Sequence, residues 1–285
     1  MIKVTEKNFR RFENFALVTG AAGGMGRLYC EQLALMGYNI VAVDLSEGNL
    51  RLLEDSVKAL VNSLTDWRGG YASDFRMLSI VQDLSLMEAA ETIKRKTDEA
   101  GAVVEVLVNN AGMLYATGIA ETSPVRLRNM MQVHCTTPLL LCREYVPEMK
   151  RRHNGYVLNI SSLAAWMPWP CLGMYSSTKR FVKDYSRSLR IECRGTGVSV
   201  TNAYFGAVDT PLIPLPPNLR AIARGLAVMI RPQKAVDAAI KATFKRRKGT
   251  MPGVLNHIFR PICAILPENL LGWCYRKFGH YFANF

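Results

Sequence analysis

The chain has 285 residues, 49% of them hydrophobic and 21% charged, a balance that suits one packed globular domain and excludes disordered, collagen-like and low-complexity proteins. Its formal net charge is +13, and from Leu212 onward twelve Lys/Arg face only Asp237 and Glu268. The basic character therefore belongs to the C-terminal quarter.

Met1–Arg11 is polar and basic with no apolar stretch behind it, so no secretory signal is expected. Short apolar runs then alternate with longer amphipathic ones. The runs predict strands over Phe15–Val18, Asn39–Val43, Met77–Val81, Val104–Val108, Tyr156–Ile160 and Val198–Tyr204. Helical patterns fall near Gly24–Met36, Gly48–Leu64, Leu86–Glu99, Pro124–Arg152 and Tyr175–Arg194. Near-continuous Val/Ile/Leu strands are buried on both faces, as in parallel sheets. Strict alternation with helices then gives an α/β fold, a doubly wound parallel sheet with right-handed crossovers. Two stretches break the rhythm. Thr65–Phe75 reads as an exposed polar loop. Pro211–Leu219 holds four prolines and cannot be a regular helix. It follows the sixth strand, at the sheet edge where a loop can cover a ligand, so a lid is expected near 211–230; a rigid connector is the plainer alternative. No linker or repeat divides the chain. A single domain over 1–250 is expected, with a basic, apolar extension over 251–285.

The first strand ends in Thr19-Gly20-Ala21-Ala22-Gly23-Gly24-Met25-Gly26, and a helix opens at once. Glycines there allow a sharp turn and bring the free N–H groups of a helix N-terminus up to a pyrophosphate. A glycine cluster alone can be a tight turn; its place between strand and helix favours the cofactor reading. Asp44 closes the second strand. A carboxylate at that point accepts from both hydroxyls of an adenine ribose and repels a 2′-phosphate. NAD is therefore expected over NADP, with Arg27 and Arg51 as the residues able to upset that preference. A helix cap is the bland role for Asp44.

Tyr175-Ser176-Ser177-Thr178-Lys179 places a phenol and an ammonium one helical turn apart on one face. A neighbouring cation stabilises phenolate, so the Tyr175 pKa is expected to fall and the group to act as a general acid or base. Alone, that spacing is common on helices. Ser162, just past the fifth strand, adds a hydroxyl that can hold a substrate oxygen.

In order along the chain, the glycine turn, Asp83, Asn109-Asn110-Ala111-Gly112, Asn159-Ile160-Ser161-Ser162, Tyr175 to Lys179 and Gly206-Ala207-Val208-Asp209-Thr210 resemble a standard short-chain dehydrogenase/reductase, with a Rossmann-like fold. The resemblance spans roughly Asn14 to Lys248. It implies that Thr19, Gly20, Gly24, Met25 and Gly26 form the cofactor turn and that Asp44 holds the adenine ribose. Asp83 and Leu84 would flank the adenine, with Asn110, Ala111 and Gly112 beside the cofactor. Ser162 would polarise the carbonyl, Tyr175 would exchange the proton, and Lys179 would hold the nicotinamide ribose. Val208 and Thr210 would fix the carboxamide. The family commonly pairs long helices between subunits, which implies a homodimer or homotetramer.

Two residues depart from the family. His134 stands where an Asn is usual, an Asn that anchors a water behind the lysine. Its ring can take over that role and titrate near 6.5, or it can be a packed helical histidine. Phe205 replaces the usual Pro before Gly206, from which only a local change is expected.

Leu163, Ala164, Ala165, Trp166, Met167, Trp169 and Met174 make the segment around the catalytic serine apolar and free of charge. The expected substrate is a hydrophobic secondary alcohol or ketone, hydroxysteroid-like or bile-acid-like. The alternatives are a long-chain lipid ketone of 3-ketosphinganine or 3-ketoacyl type, or a dinucleotide-binding regulator without turnover. Such regulators usually lose the Tyr or the Lys, and both are present. The tail interleaves basic residues with aromatics and aliphatics, a pattern that suits an anionic membrane surface or packing on the protein itself. Nucleic acid is not expected, since no recognised motif accompanies the basic patch. Seven cysteines form no C-x-x-C pair and four histidines show no zinc spacing, so no metal is expected and a reducing, cytoplasmic setting is. No apolar run is long enough to span a bilayer, which leaves peripheral membrane contact as the membrane alternative.

Overall fold

The Val, Ile and Leu runs become interior strands because they can be covered from both sides. The computed structural model describes residues 4–6, 8–168, 172–212, 221 and 229–282. Trp169, positions 213–220 and 222–228 of the expected lid, and the side chains of Val254, Phe278, Tyr281, Phe282 and Phe285 lie outside the described residues. Strands β1 (Phe15–Thr19), β2 (Asn39–Asp44), β3 (Met77–Val81), β4 (Val104–Asn109), β5 (Gly155–Ser162) and β6 (Val198–Phe205) build a parallel sheet. A small parallel pair, β7 (Ala207–Val208) with β8 (Met229–Ile230), sits apart from it. The two-residue β9 (Gly249–Thr250) completes the main sheet, in the order β3-β2-β1-β4-β5-β6-β9. The direction of winding reverses between β1 and β4, which opens a crevice at the carboxyl ends of these strands.

The helices are α1 (Gly24–Leu35), α2 (Glu47–Asn62), α3 (Ala89–Glu99), α4 (Pro124–Met131), α5 (Thr137–Arg151), α6 (Gly173–Glu192), α7 (Pro232–Phe244), α8 (Val254–Ile265) and α9 (Glu268–Phe282). Side chains alternate across a strand, and β1 feeds two cores. Ala16 and Val18 pack with Leu33, Leu50 and Ile240, on the α1, α2 and α7 face. Phe15 and Leu17 pack with Ile93, Leu141 and Tyr145, on the α3 and α5 face.

Several expectations need correction. The helix expected over Pro124–Arg152 is interrupted by a π-helical turn, Gln132–Thr136, which adds a residue to the turn and aims His134, 1% exposed, into the interior. The helix expected from Leu86 begins at Ala89, because Asp83 accepts the Ser85 N–H and holds a turn before it. Thr65–Phe75 is no loose loop. Trp67–Asp74 forms a 3-10 helix, with Trp67 5.1 Å from the buried Phe9 and Phe75 5.3 Å from the buried Phe12.

The extension docks on the domain. Leu271 and Leu266 pack with Met167 and Trp166, just beyond Ser162. Asn256 is buried against Gly206, where an added Cβ would lie 2.3 Å from its Oδ1. Among the described residues no helix is long and apolar enough to cross a membrane, and no cluster of His, Cys, Asp and Glu is arranged to hold a metal.

Candidate active site

Six strand ends converge on the crevice. After β1, Gly20 takes a left-handed conformation, φ +61°, which a glycine adopts without penalty. Gly26 allows the backbone to close on itself, since a Cβ there would lie 1.9 Å from the Gly20 oxygen. The α1 N-cap is Gly23, with no side-chain cap bond, so no capping side chain stands over the first-turn N–H groups of α1. A Cβ at Gly24 would meet Thr210 and Pro211 at 3.5 Å; the Gly206–Thr210 strip therefore closes over the glycine turn. Met25 is partly buried against the core.

Thr19 and Asn110 tie β1 to β4. Thr19 Oγ1 accepts the N–H of Asn110 and of Ala111, each at 3.1 Å. Asn110 Nδ2 donates to the Thr19 oxygen at 2.9 Å and the Gly20 oxygen at 3.2 Å. Among the described residues its Oδ1 is buried without a partner, an acceptor left open beside the turn. Asp44 reaches back over the glycines: Oδ2 accepts the Ala22 N–H at 3.0 Å, and Oδ1 accepts Leu45 N at 2.8 Å. Ser46, not Asp44, caps α2, through Asn49 N. Arg27 and Arg51 are engaged with Glu31 and Glu47 on their own helices. Leu84 is buried, and its oxygen accepts from Thr137. Val208 and Thr210 are buried on the far side. A glycine-rich turn, a helix N-terminus without a side-chain cap, a carboxylate at the second strand and a buried acceptor fit a dinucleotide.

The catalytic candidates gather at the end of β5. Ser162 Oγ donates to the Phe205 oxygen at 3.2 Å and accepts the Ala164 N–H at 3.1 Å, so the unusual Phe205 serves here through its backbone. The half-buried Tyr175 shares a hydrogen bond with Ser162. Lys179, 5% exposed, donates to the Ile160 oxygen at 3.0 Å, and its Nζ lies 5.6 Å from the Tyr175 ring centroid. Burial draws Lys179 down to about 8. The expected fall in the Tyr175 pKa is not found. Burial pushes it up, opposed by the bond to Ser162.

His134 is brought into the same cluster, with an outcome the sequence did not predict. Its Nε2 accepts the Met113 N–H at 2.9 Å, which leaves the proton on Nδ1 to bond Thr178 Oγ1, also at 2.9 Å. Thr178 Oγ1 donates in turn to the Tyr175 oxygen of the main chain, at 2.8 Å. Burial and the Lys179 charge hold the ring far below the 6.5 at which it was expected to titrate. Both nitrogens are committed. Gly112 leaves the room this needs, since a Cβ would sit 3.3 Å from Nε2 and 3.8 Å from Lys179 Nζ. Sequence reasoning missed Met113, which contributes only a backbone N–H, and Asn256, which no motif marks. Thr178 lies inside the Tyr–Lys motif, but the spacing gave it no role of its own.

Fold and site together define a dinucleotide-binding α/β protein with a Ser–Tyr–Lys cluster at the crevice. The short chain dehydrogenase family matches residues 14–214, and the chain belongs to that family. It is 31% identical over 195 residues to a very-long-chain 3-oxoacyl-CoA reductase of Pyricularia oryzae, covering 66% of this chain and 54% of the relative. Over 214 residues it is 31% identical to the 17-beta-hydroxysteroid dehydrogenase type 3 of Homo sapiens, covering 74% and 64%. The chain thus spans between half and two thirds of these relatives. Among solved structures, one from a study of 7beta-hydroxysteroid dehydrogenase stereoselectivity superposes with TM-score 0.78 at 24% identity, covering 93% of this chain and 97% of that one. Another, a short-chain dehydrogenase from Sphingobium yanoikuyae in complex with NADPH, gives 0.71 at 21% identity, covering 89% and 96%. The family uses a nicotinamide dinucleotide.

Proposed function

We propose that the protein interconverts a secondary alcohol and a ketone on an apolar, hydroxysteroid-like or bile-acid-like substrate. The observation that carries this reading is the grouping of Ser162, Tyr175 and Lys179 beside the glycine-rich turn. Gly20, Gly24 and Gly26 hold the pyrophosphate, Asp44 the adenine ribose, and Asp83, Leu84 and Asn110 the adjoining walls. When bound, the nicotinamide dinucleotide supplies or accepts the hydride. Ser162 orients the substrate oxygen. Tyr175 gives that oxygen its phenolic proton in reduction and takes it back in oxidation. Lys179 puts a positive charge beside the phenol as it loses its proton, while its own pKa of about 8 keeps it mainly protonated at neutral pH. His134 positions rather than reacts, through Met113 and Thr178. NAD is the preferred cofactor, because Asp44 lies at the turn and both nearby arginines are paired elsewhere. A second reading, reduction of a long-chain 3-oxoacyl substrate, draws support from the named fungal relative.

Association follows from two exposed faces. Leu139 on α5 and Phe181 on α6 are each 41% exposed, which supports subunit pairing across those helices. On α8, His257, Arg260, Pro261 and Ala264 look toward Trp166. At 100° per residue, Ile258, Ile262 and Ile265 point away from that side, all exposed. A helix that turns its apolar stripe outward, in the basic quarter of the chain, suits an anionic membrane surface. The testing experiment follows nicotinamide absorbance with NAD or NADP over hydroxysteroids, bile acids, sphingoid bases and long-chain secondary alcohols, beside Tyr175→Phe. Turnover that vanishes in the variant supports the activity. Tight NAD binding without turnover on any of them would refute it and favour the regulator.

A further inference from the structure

Helix α8 approaches the segment after Ser162 without closing on it. A cavity of about 380 Å³ remains, lined by Trp166, His257, Arg260, Pro261 and Ala264. Trp166 is its wall on the domain side, with the Tyr204 ring 4.5 Å away. Two cations lie over that indole: Arg260 at 5.3 Å and Lys183 at 5.6 Å. Asp184 pairs with Lys183 at 3.2 Å. Arg260 forms no ion pair among the described residues and lies against the Trp166 ring. An exposed guanidinium held over an aromatic face keeps its fork of donors free for a planar anion. The cavity also adjoins the chemistry. Trp166 lies four residues past Ser162 through a 3-10 turn, about 8 Å of rise at about 2 Å per residue.

We infer that this cavity takes the acidic end of an elongated apolar substrate, with Arg260 as the charged partner and Trp166 as the apolar wall. The inference rests on the alcohol–ketone reading, since it requires the reacting oxygen to lie at Ser162. It names the substrate class more narrowly: a ketone or alcohol on a hydrophobic body that ends in a carboxylate or comparable anion. A bidentate guanidinium–carboxylate contact fixes orientation as well as affinity, so the same pair would choose which carbon of the body faces Tyr175.

The test is titration calorimetry of the full chain with cholate and with methyl cholate, with and without saturating NAD. The parent protein is expected to bind the acid about tenfold more tightly than the ester, about 1.4 kcal/mol. Arg260→Ala erases the preference by weakening the acid alone, and Arg260→Lys retains part of it. Equal affinities in the parent, equal weakening of acid and ester by Arg260→Ala, or no binding of either at millimolar concentration would each overturn the inference. So would Arg260-dependent binding of inorganic phosphate as tight as that of the acid, which would mark a site for free anions. Vesicles of phosphatidylcholine and phosphatidylglycerol form the last arm. Binding of these through Arg260, without acid preference, would assign the residue to a lipid headgroup and overturn it too. Hydride transfer is scored separately: acid preference without turnover would refute the proposed activity and leave the acid-reading cavity standing.

Discussion

Replacing Lys179 by Met separates stability from chemistry at this site. Lys179 is 5% exposed and donates one bond, to the Ile160 oxygen. Burial draws its pKa from 10.5 to about 8. At about 1.4 kcal/mol per pKa unit, the folded chain at neutral pH carries a penalty of about 3 kcal/mol for keeping this ammonium charged. Between about pH 8 and pH 10.5 the unfolded chain still holds the proton while the folded chain has released it. Stability therefore rises with pH across that window, and the penalty is present in full below it. Met removes the charge at similar volume and forfeits the bond to Ile160, which costs about 1 kcal/mol. Lys179→Met is expected to exceed the parent by about 1–2 kcal/mol near pH 7 and to lose that advantage by about pH 10. Urea denaturation midpoints across that range read the difference, with turnover falling by about two orders of magnitude or more. A variant destabilised equally at every pH would refute the reasoning, since the lysine would then not be held against its charge.

Further outcomes follow from the same geometry. Tyr175→Phe should lower turnover by about 10²–10⁴ while leaving NADH binding, followed by its fluorescence, within about twofold of the parent. Asp44→Ala should weaken NAD and relax discrimination against NADP; unchanged Michaelis constants for both would show that the carboxylate meets no ribose. His134→Ala strands the Met113 N–H and should cost about 1–3 kcal/mol, whereas His134→Asn can restore an acceptor. Because the His134 pKa is depressed in the fold, the parent should also lose stability as pH falls below about 6.5. Denaturation curves of His134→Asn should lack that slope.

The six main strands were legible because each is a short apolar run bounded by turn residues, and every motif but the Tyr–Lys pair, which lies on α6, fell at a strand end. What escaped notice depended on contacts rather than on local pattern. Gly249–Thr250 has no apolar period and becomes a strand only because Asn202 and Ala203 offer it an edge. Helix α7 is amphipathic, yet the sequence reading placed no helix beyond Arg194. The π turn at His134 follows from two bonds to distant residues, Met113 and Thr178. Tyr–Lys spacing placed the pair correctly and misjudged the sign of the Tyr175 shift, because spacing reports proximity and says nothing of desolvation. In the tail, the sequence left membrane and self-packing as rivals. Leu271 packs on Met167 while Ile258 stays exposed, so different faces of the two helices follow different rules.

Asn256 occupies the space that a side chain at position 206 would need, and its Nδ2 donates to the Pro252 oxygen. The last helices are thereby keyed into the strip that overlies the glycine turn. Change in the tail is consequently change at the mouth of the crevice. A lineage can retune which molecules enter by altering residues beyond Met251, leaving every strand and every reacting group untouched.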